Sequence, residues 1–214
     1  MKIGNINLKW TGHAGFFISN GKKIYIDPFK LQNEEEADII LITHSHYDHC
    51  SIEDLKKITK DGTIVICSGD CCSKFNHFEE QIDLKVIEPG KGIKIEEIKV
   101  IAVPAYNINK SFHSKEEYWN GYIVEVEGVR IYHAGDTDLI PEMSRLGKID
   151  VALLPVGGTY TMNTEEAAKA ASVIKPKFAV PMHWGSLIGT YEDAAKFVEM
   201  CRREGIEAEI LEKS

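Results

Sequence analysis

The segment "DIILITHSHYDHCS", residues 38–51, sets His44, His46, Asp48 and His49 at the end of an aliphatic run. Imidazole nitrogens and carboxylate oxygens in this density suit a divalent cation such as Zn²⁺, Fe²⁺ or Mn²⁺, with no thiolate needed. Side chains of extended backbone alternate sides, so His44 and His46 point the same way and can hold one ion jointly. Asp48 and His49 follow the turn and can reach a second ion a few ångströms away. Downstream, "HAGDTD" offers Asp136, a carboxylate suited to bridging two ions, and "PMHWG" offers His183.

Something rigid must position these groups. Asp27 closes "KIYID", His44 to His49 follow "IILIT", Asp136 follows "RIYHAG" and His183 follows "FAVPM". Each lies at the carboxyl end of an apolar run, where loops gather at a sheet edge and carry function. Strands are expected at "INLKW", "GFFIS", "KKIYID", "ADIILIT", "TIVICS", "LKVIEP", "IKVIAVP", "VALLPV", "KFAVPM" and "EAEIL". "GYIVEVEGVRIYHAG" reads as a hairpin turning at Glu127-Gly128. Three helices carry start signals: Ser51 with Asp54, Asn163 with Glu166, and Thr190 with Asp193, the last helix stopping at Gly205. There is also an internal echo. "GKKIYID" before "ADIILIT" parallels "GVRIYHA" before "IDVALLP", which suggests two similar β-rich halves with helices outside.

Length and composition bound the rest. The 214 residues fit one domain or two joined halves, and 43% hydrophobic with 27% charged residues is ordinary for a globular chain. A net charge of −8 without long like-charge runs argues against a general nucleic-acid surface. An anionic substrate stays open, because bound metal would dominate the local field. No apolar stretch reaches the roughly 18 to 20 residues a membrane span needs, and "MKIGNINLKW" lacks the apolar core of a signal peptide. Five cysteines with no CxxC pair indicate neither a disulfide framework nor a zinc knuckle. A reduced, cytoplasmic protein is expected, with oligomeric state open.

"THSHYDH", "HAGDTD" and "PMHWG", in that order, resemble metal motifs of the metallo-β-lactamase fold superfamily. "WTGHAGFFI" and "IYIDPF" resemble the branch containing ascorbate-phosphate lactonase and many metal-dependent hydrolases. The resemblance spans nearly the whole chain. It implies one α/β domain over 1–214, a four-layer αββα sandwich with a two-metal site at the sheet edges. By analogy His44 and His46 bind the first ion, Asp48, His49 and His183 bind the second, and Asp136 bridges. The ions are expected to be zinc, with manganese or iron as alternatives. A hydroxide shared between them would cleave a small ester, lactone or phosphoester, with Asp48 positioning it and passing a proton to the leaving group. The chain departs from the pattern once. Where relatives offer an A-x-H histidine to the first ion, it has Ala105-Tyr106-Asn107. His113, six residues on, and the Asn107 amide oxygen are the two candidates to replace it.

Several residues carry both a functional and a packing reading. His13 in "TGHAGF" is a candidate proton-handling or substrate-contacting group. Asp27 is expected to orient a ligand, and His133 to pack near Asp136. Asn107, Lys110 and Tyr160 are candidate substrate contacts, Lys110 for an anionic group. Cys50 reads as a small buried filler, Cys71 and Cys72 as structural, Trp119 and Trp184 as core or rim, and His77 as a surface residue. Two rival classes remain beside the hydrolase: an iron-dependent oxidoreductase with the same ligands, and a non-catalytic metal-binding module.

Overall fold

The computed structural model describes residues 1–33, 35–76 and 78–214, so His77 lies outside the described residues. The chain forms two compact units, Met1–Glu88 with Leu211–Ser214, and Pro89–Ile210. The first unit carries a seven-stranded sheet in chain order: β1 (Lys2–Ile3), β2 (Ile6–Gly12), β3 (Gly15–Ser19), β4 (Lys23–Ile26), β5 (Ile39–Ile42), β6 (Ile64–Cys67) and β7 (Asp83–Val86). β1 to β4 pair antiparallel and β4 to β7 pair parallel.

The second unit repeats this plan with β8 (Gly92–Ile95), β9 (Ile98–Pro104), β10 (Asn120–Val126), β11 (Val129–His133), β12 (Val151–Pro155), β13 (Phe178–Met182) and β14 (Glu207–Ala208). Here β8 to β11 are antiparallel and β11 to β14 parallel. The Ile-Tyr echo falls on β4 and β11, which hold the same place in the two sheets. Its aspartates have one job. Asp38 accepts from the Lys23 amide at 2.9 Å, and Asp150 accepts from the Arg130 amide at 2.9 Å, each tying the start of one parallel strand to its neighbour. Burial opposes ionisation at both. The Lys23 amide and Lys60 at Asp38, and Lys177 and the Arg130 amide at Asp150, still hold the carboxyls below their ordinary value.

β1 and β8 were not expected from the sequence; one is two residues long and the other is half solvated, so neither shows a strong apolar pattern. "EAEIL" contributes only Glu207–Ala208. The hairpin turns as expected, with Glu127 and Gly128 both at positive φ (50° and 75°).

Helices lie where their caps predict. α1 (Ile52–Ile58) is capped by Ser51, α2 (Thr164–Ile174) by Asn163 and α3 (Tyr191–Arg203) by Thr190, with full capping boxes on the last two. Leu55 and Ile58 of α1 are buried in one core cluster with Phe17, Tyr25, Ile40, Ile42, Val65 and Phe75. Cys50, Cys67 and Cys71 fill gaps in that core, as expected for Cys50 and Cys71. In the second unit α2 and α3 pack on each other and against β12 and β13.

Asp54 does more than give its amide hydrogen to the Ser51 cap. Its carboxylate accepts from the Lys30 amide at 2.8 Å, the Leu31 amide at 3.0 Å and the Ser51 hydroxyl at 2.6 Å, pinning the segment after β4 to α1. Burial raises its pKa, but these donors and Lys57 outweigh it and hold the carboxyl below its ordinary value. Its stabilisation is therefore present above roughly pH 4 and lost as pH falls through the depressed folded value. Asp54→Asn is expected to lower unfolding free energy by about 1–3 kcal/mol at pH 7. In denaturant titrations the gap from wild type should narrow on acidification.

Candidate metal centre

Because β2, β4, β5 and β6 of the first unit point one way, the turns that follow them meet at one sheet edge. That edge collects His13, Asp27 and the 43–51 turn. Asp27, fully buried, accepts from the Thr43 amide at 2.8 Å, the Thr43 hydroxyl at 2.6 Å and His49 Nδ1 at 2.7 Å. With its proton given to Asp27, the Thr43 oxygen can only accept from His44 Nδ1, 2.9 Å away. Both imidazoles thus place their protons on Nδ1 and keep the Nε2 lone pair for a ligand. His44 Nε2 and His46 Nδ1 converge to 3.1 Å. Ligand nitrogens of a tetrahedral zinc with Zn–N of about 2.0–2.1 Å stand roughly 3.3 Å apart, so the pair fits one ion. Asp48 Oδ2 lies 3.6 Å from His49 Nε2 and 2.9 Å from His13 Nε2.

In the second unit β9, β11, β12 and β13 likewise point one way, and the turns after them share an edge. Asp136 stands there between two imidazoles. His183 Nε2 is 3.2 Å from its Oδ1, and His113 Nε2 is 3.6 Å from its Oδ2. His113 donates from Nδ1 to the Tyr160 carbonyl at 3.0 Å, which again leaves Nε2 to ligate. Each Asp136 oxygen thus has one imidazole nitrogen within 3.6 Å.

Asn107 holds His113 in place. Its amide hydrogen goes to the His113 carbonyl at 2.7 Å, and its Nδ2 donates to the Phe112 and Tyr160 carbonyls at 3.0 and 2.7 Å. Its Oδ1 is buried and accepts no hydrogen bond from the described residues. Lys110, expected at an anionic substrate group, has its ammonium on Asp138 and on the Thr161 carbonyl. Asp138 also accepts from the Ile108 amide at 2.9 Å. Tyr160 keeps an exposed ring. His133 is buried and its Nδ1 accepts from the Gly135 amide at 3.2 Å, steadying the turn before Asp136. Trp119 and Trp184 are buried, the former packed on the His113 ring at 5.2 Å. Thr43 and Asp138 are the residues the sequence reading missed; each sits inside a quoted motif, but a hydroxyl relay and a tether have no spacing rule.

His13, Asp27, His113 and His183 all have left-handed backbone, with φ of 53°, 44°, 57° and 60°. Non-glycine residues held there cost free energy, and such strain concentrates at functional sites.

Residues 7–183 match the sequence profile described as the beta-lactamase superfamily domain. A metal-dependent hydrolase of the UPF0173 family from Thermococcus onnurineus is 36% identical, covering 96% of this chain and 95% of its own length. Among solved structures, one from Parabacteroides distasonis, assigned to the metal-dependent hydrolases, superposes with a TM-score of 0.86 at 32% identity, covering 98% of this chain and 94% of that one. The metallo hydrolase Igni18 from Ignicoccus hospitalis superposes with a TM-score of 0.79 at 25% identity, covering 98% of this chain and 96% of that one. The fold is thus α/β of the metallo-β-lactamase type. Within it the chain belongs to the UPF0173 metal-dependent hydrolase family.

Removing the Lys110 ammonium leaves Asp138 beside the Ile108 amide alone. Lys110→Met is expected to lower unfolding free energy by about 1–3 kcal/mol in denaturant titrations. A purely substrate-contacting Lys110 would leave stability unchanged.

Proposed function

We propose that the chain is a dinuclear metal-dependent hydrolase acting on a small ester, lactone or phosphoester, with 1–214 working as one catalytic domain. The observation that carries this reading is Asp136 with an imidazole at each oxygen, His113 on one and His183 on the other. By the family resemblance His44, His46 and His113 would hold the first ion, and Asp48, His49 and His183 the second. The donor set of nitrogen and carboxylate oxygen, with no thiolate, suits zinc first and manganese or iron next. The lactone and phosphoester options rest on the branch resemblance; the names of the relatives give a metal-dependent hydrolase. No described helix is long and apolar enough to cross a membrane.

Two divalent ions, when bound, supply Lewis acidity and lower the pKa of water toward about 7. The chain's own groups do the rest. Asp27 and Thr43 fix the tautomers of His44 and His49, so that no proton must be expelled from the ligating nitrogens. Asp48 holds the attacking water and passes its proton to the departing oxygen. His13, 2.9 Å from Asp48 Oδ2, orients that carboxylate and shares its proton.

The test is hydrolysis of p-nitrophenyl acetate and bis(p-nitrophenyl) phosphate by chelated protein before and after Zn²⁺ or Mn²⁺ is restored. Activity on at least one should vanish with the chelator and return with metal. Asp48→Asn should lower kcat by about 10²–10⁴ while metal content holds at one ion or more. Turnover indifferent to chelation, or present only with oxygen as co-substrate, would remove the hydrolase reading. Asp27→Asn is expected to weaken zinc binding by about 10–100-fold, read by competition with a chromophoric chelator.

A further inference from the structure

Among the described residues eight large apolar side chains are exposed. Six of them, Tyr47, Ile108, Phe112, Tyr118, Tyr160 and Leu187, lie on the loops that follow β5, β9, β12 and β13. Those loops carry the ligand candidates and the carbonyl that orients His113. Five of the six lie in the second unit, and large apolar groups left in water on its loops, while the rest of the described surface shows few, point to something apolar that covers them.

Phe112 and Tyr160 are the best-defined pair. Their rings meet edge to face at 4.9 Å, with 46% and 41% of each residue exposed. Both are fixed to His113. Phe112 precedes it in the chain, and its carbonyl accepts from Asn107 Nδ2 at 3.0 Å. The Tyr160 carbonyl accepts from Asn107 Nδ2 at 2.7 Å and from His113 Nδ1 at 3.0 Å. The network that aims the imidazole therefore also ties down the backbone that carries the two rings. The cations of the same loop are spent. Lys110 is bound to Asp138, and Lys115 lies 3.0 Å from Glu142 and 4.6 Å above the Tyr106 ring. A phosphate or carboxylate approaching this loop meets no unpaired ammonium from either lysine.

Resting on the hydrolase reading, we infer that Phe112 and Tyr160 form a specificity shelf for the uncharged apolar acyl chain of a carboxylic ester or lactone. Water adds to the acyl carbon, the acyl C–O bond breaks, and the water's proton passes to the departing oxygen. Acid and alcohol leave with no change of oxidation state. The shelf acts on substrate choice by removing apolar chain from water beside the reacting carbonyl.

The experiment compares p-nitrophenyl octanoate with p-nitrophenyl acetate, and with bis(p-nitrophenyl) phosphate, on metal-restored full-length protein. Wild type should favour octanoate over acetate by about tenfold or more in kcat/KM. In Phe112→Ser and Tyr160→Ser that ratio should fall about tenfold, mainly through KM for octanoate, and Phe112→Tyr should keep most of it. Metal content is read on the same samples. An unchanged ratio in the serine variants, or a wild-type preference for the phosphodiester, overturns the shelf and leaves the hydrolase standing. Variants that lose metal overturn it too, because the rings would then serve only to hold His113. A protein partner on these rings would leave the ester ratio unchanged and so counts against it. No turnover of any of the three with Zn²⁺ or Mn²⁺ removes the hydrolase reading and the shelf together.

Discussion

The buried Asp27 carboxylate is the constraint on which the first half of the site depends. It is an anion with no exposed surface, and one oxygen receives both the Thr43 hydroxyl and His49 Nδ1 while the other receives the Thr43 amide. An unpaired buried carboxylate would be costly, so the donors must be in place for the chain to fold. Satisfying Asp27 leaves His44 and His49 each with one tautomer, its proton on Nδ1. Fold stability and ligand orientation are therefore the same set of hydrogen bonds. The Tyr160 carbonyl does the equivalent work for His113 in the second half.

The sheets explain why such groups collect at edges. Each unit runs four antiparallel strands into three more parallel ones, so alternate turns on the antiparallel side and all turns on the parallel side open to one edge. The turn after β2 carries His13 and the turn after β9 carries His113; these are the same position in the two sheets, and both histidines have left-handed backbone. The Asp38 and Asp150 ties recur at matching places as well. A common plan, used twice, puts candidate ligands at an edge of each sheet without copying their identity.

Much of this was legible because the signals were local. Apolar runs ending in Asp27, Thr43, His133 and Met182 located the strands, and three capping pairs located the helices. The HxHxDH spacing carried its own geometric argument. β1 and β8 escaped because two residues and a half-solvated edge give no period to read. The partners of Lys110 and Asn107 escaped for a different reason. Asp138, Thr161 and Tyr160 lie 28 to 53 residues away, and only the folded sheet brings them to that loop. Asp54 read as a cap and proved also a long-range tether, since a carboxylate has acceptors enough for both.

Metal stoichiometry tests most directly whether two cations share the Asp136 carboxylate. Chelated wild type and Asp136→Ala would be titrated with Zn²⁺, desalted and measured for zinc per chain, with His183→Ala as the control for loss of one terminal ligand. Two ions per wild-type chain, one retained in His183→Ala and both weakened in Asp136→Ala, is the predicted result. A single ion in wild type, or an Asp136→Ala chain that still holds two tightly, would contradict the bridge and with it the dinuclear account.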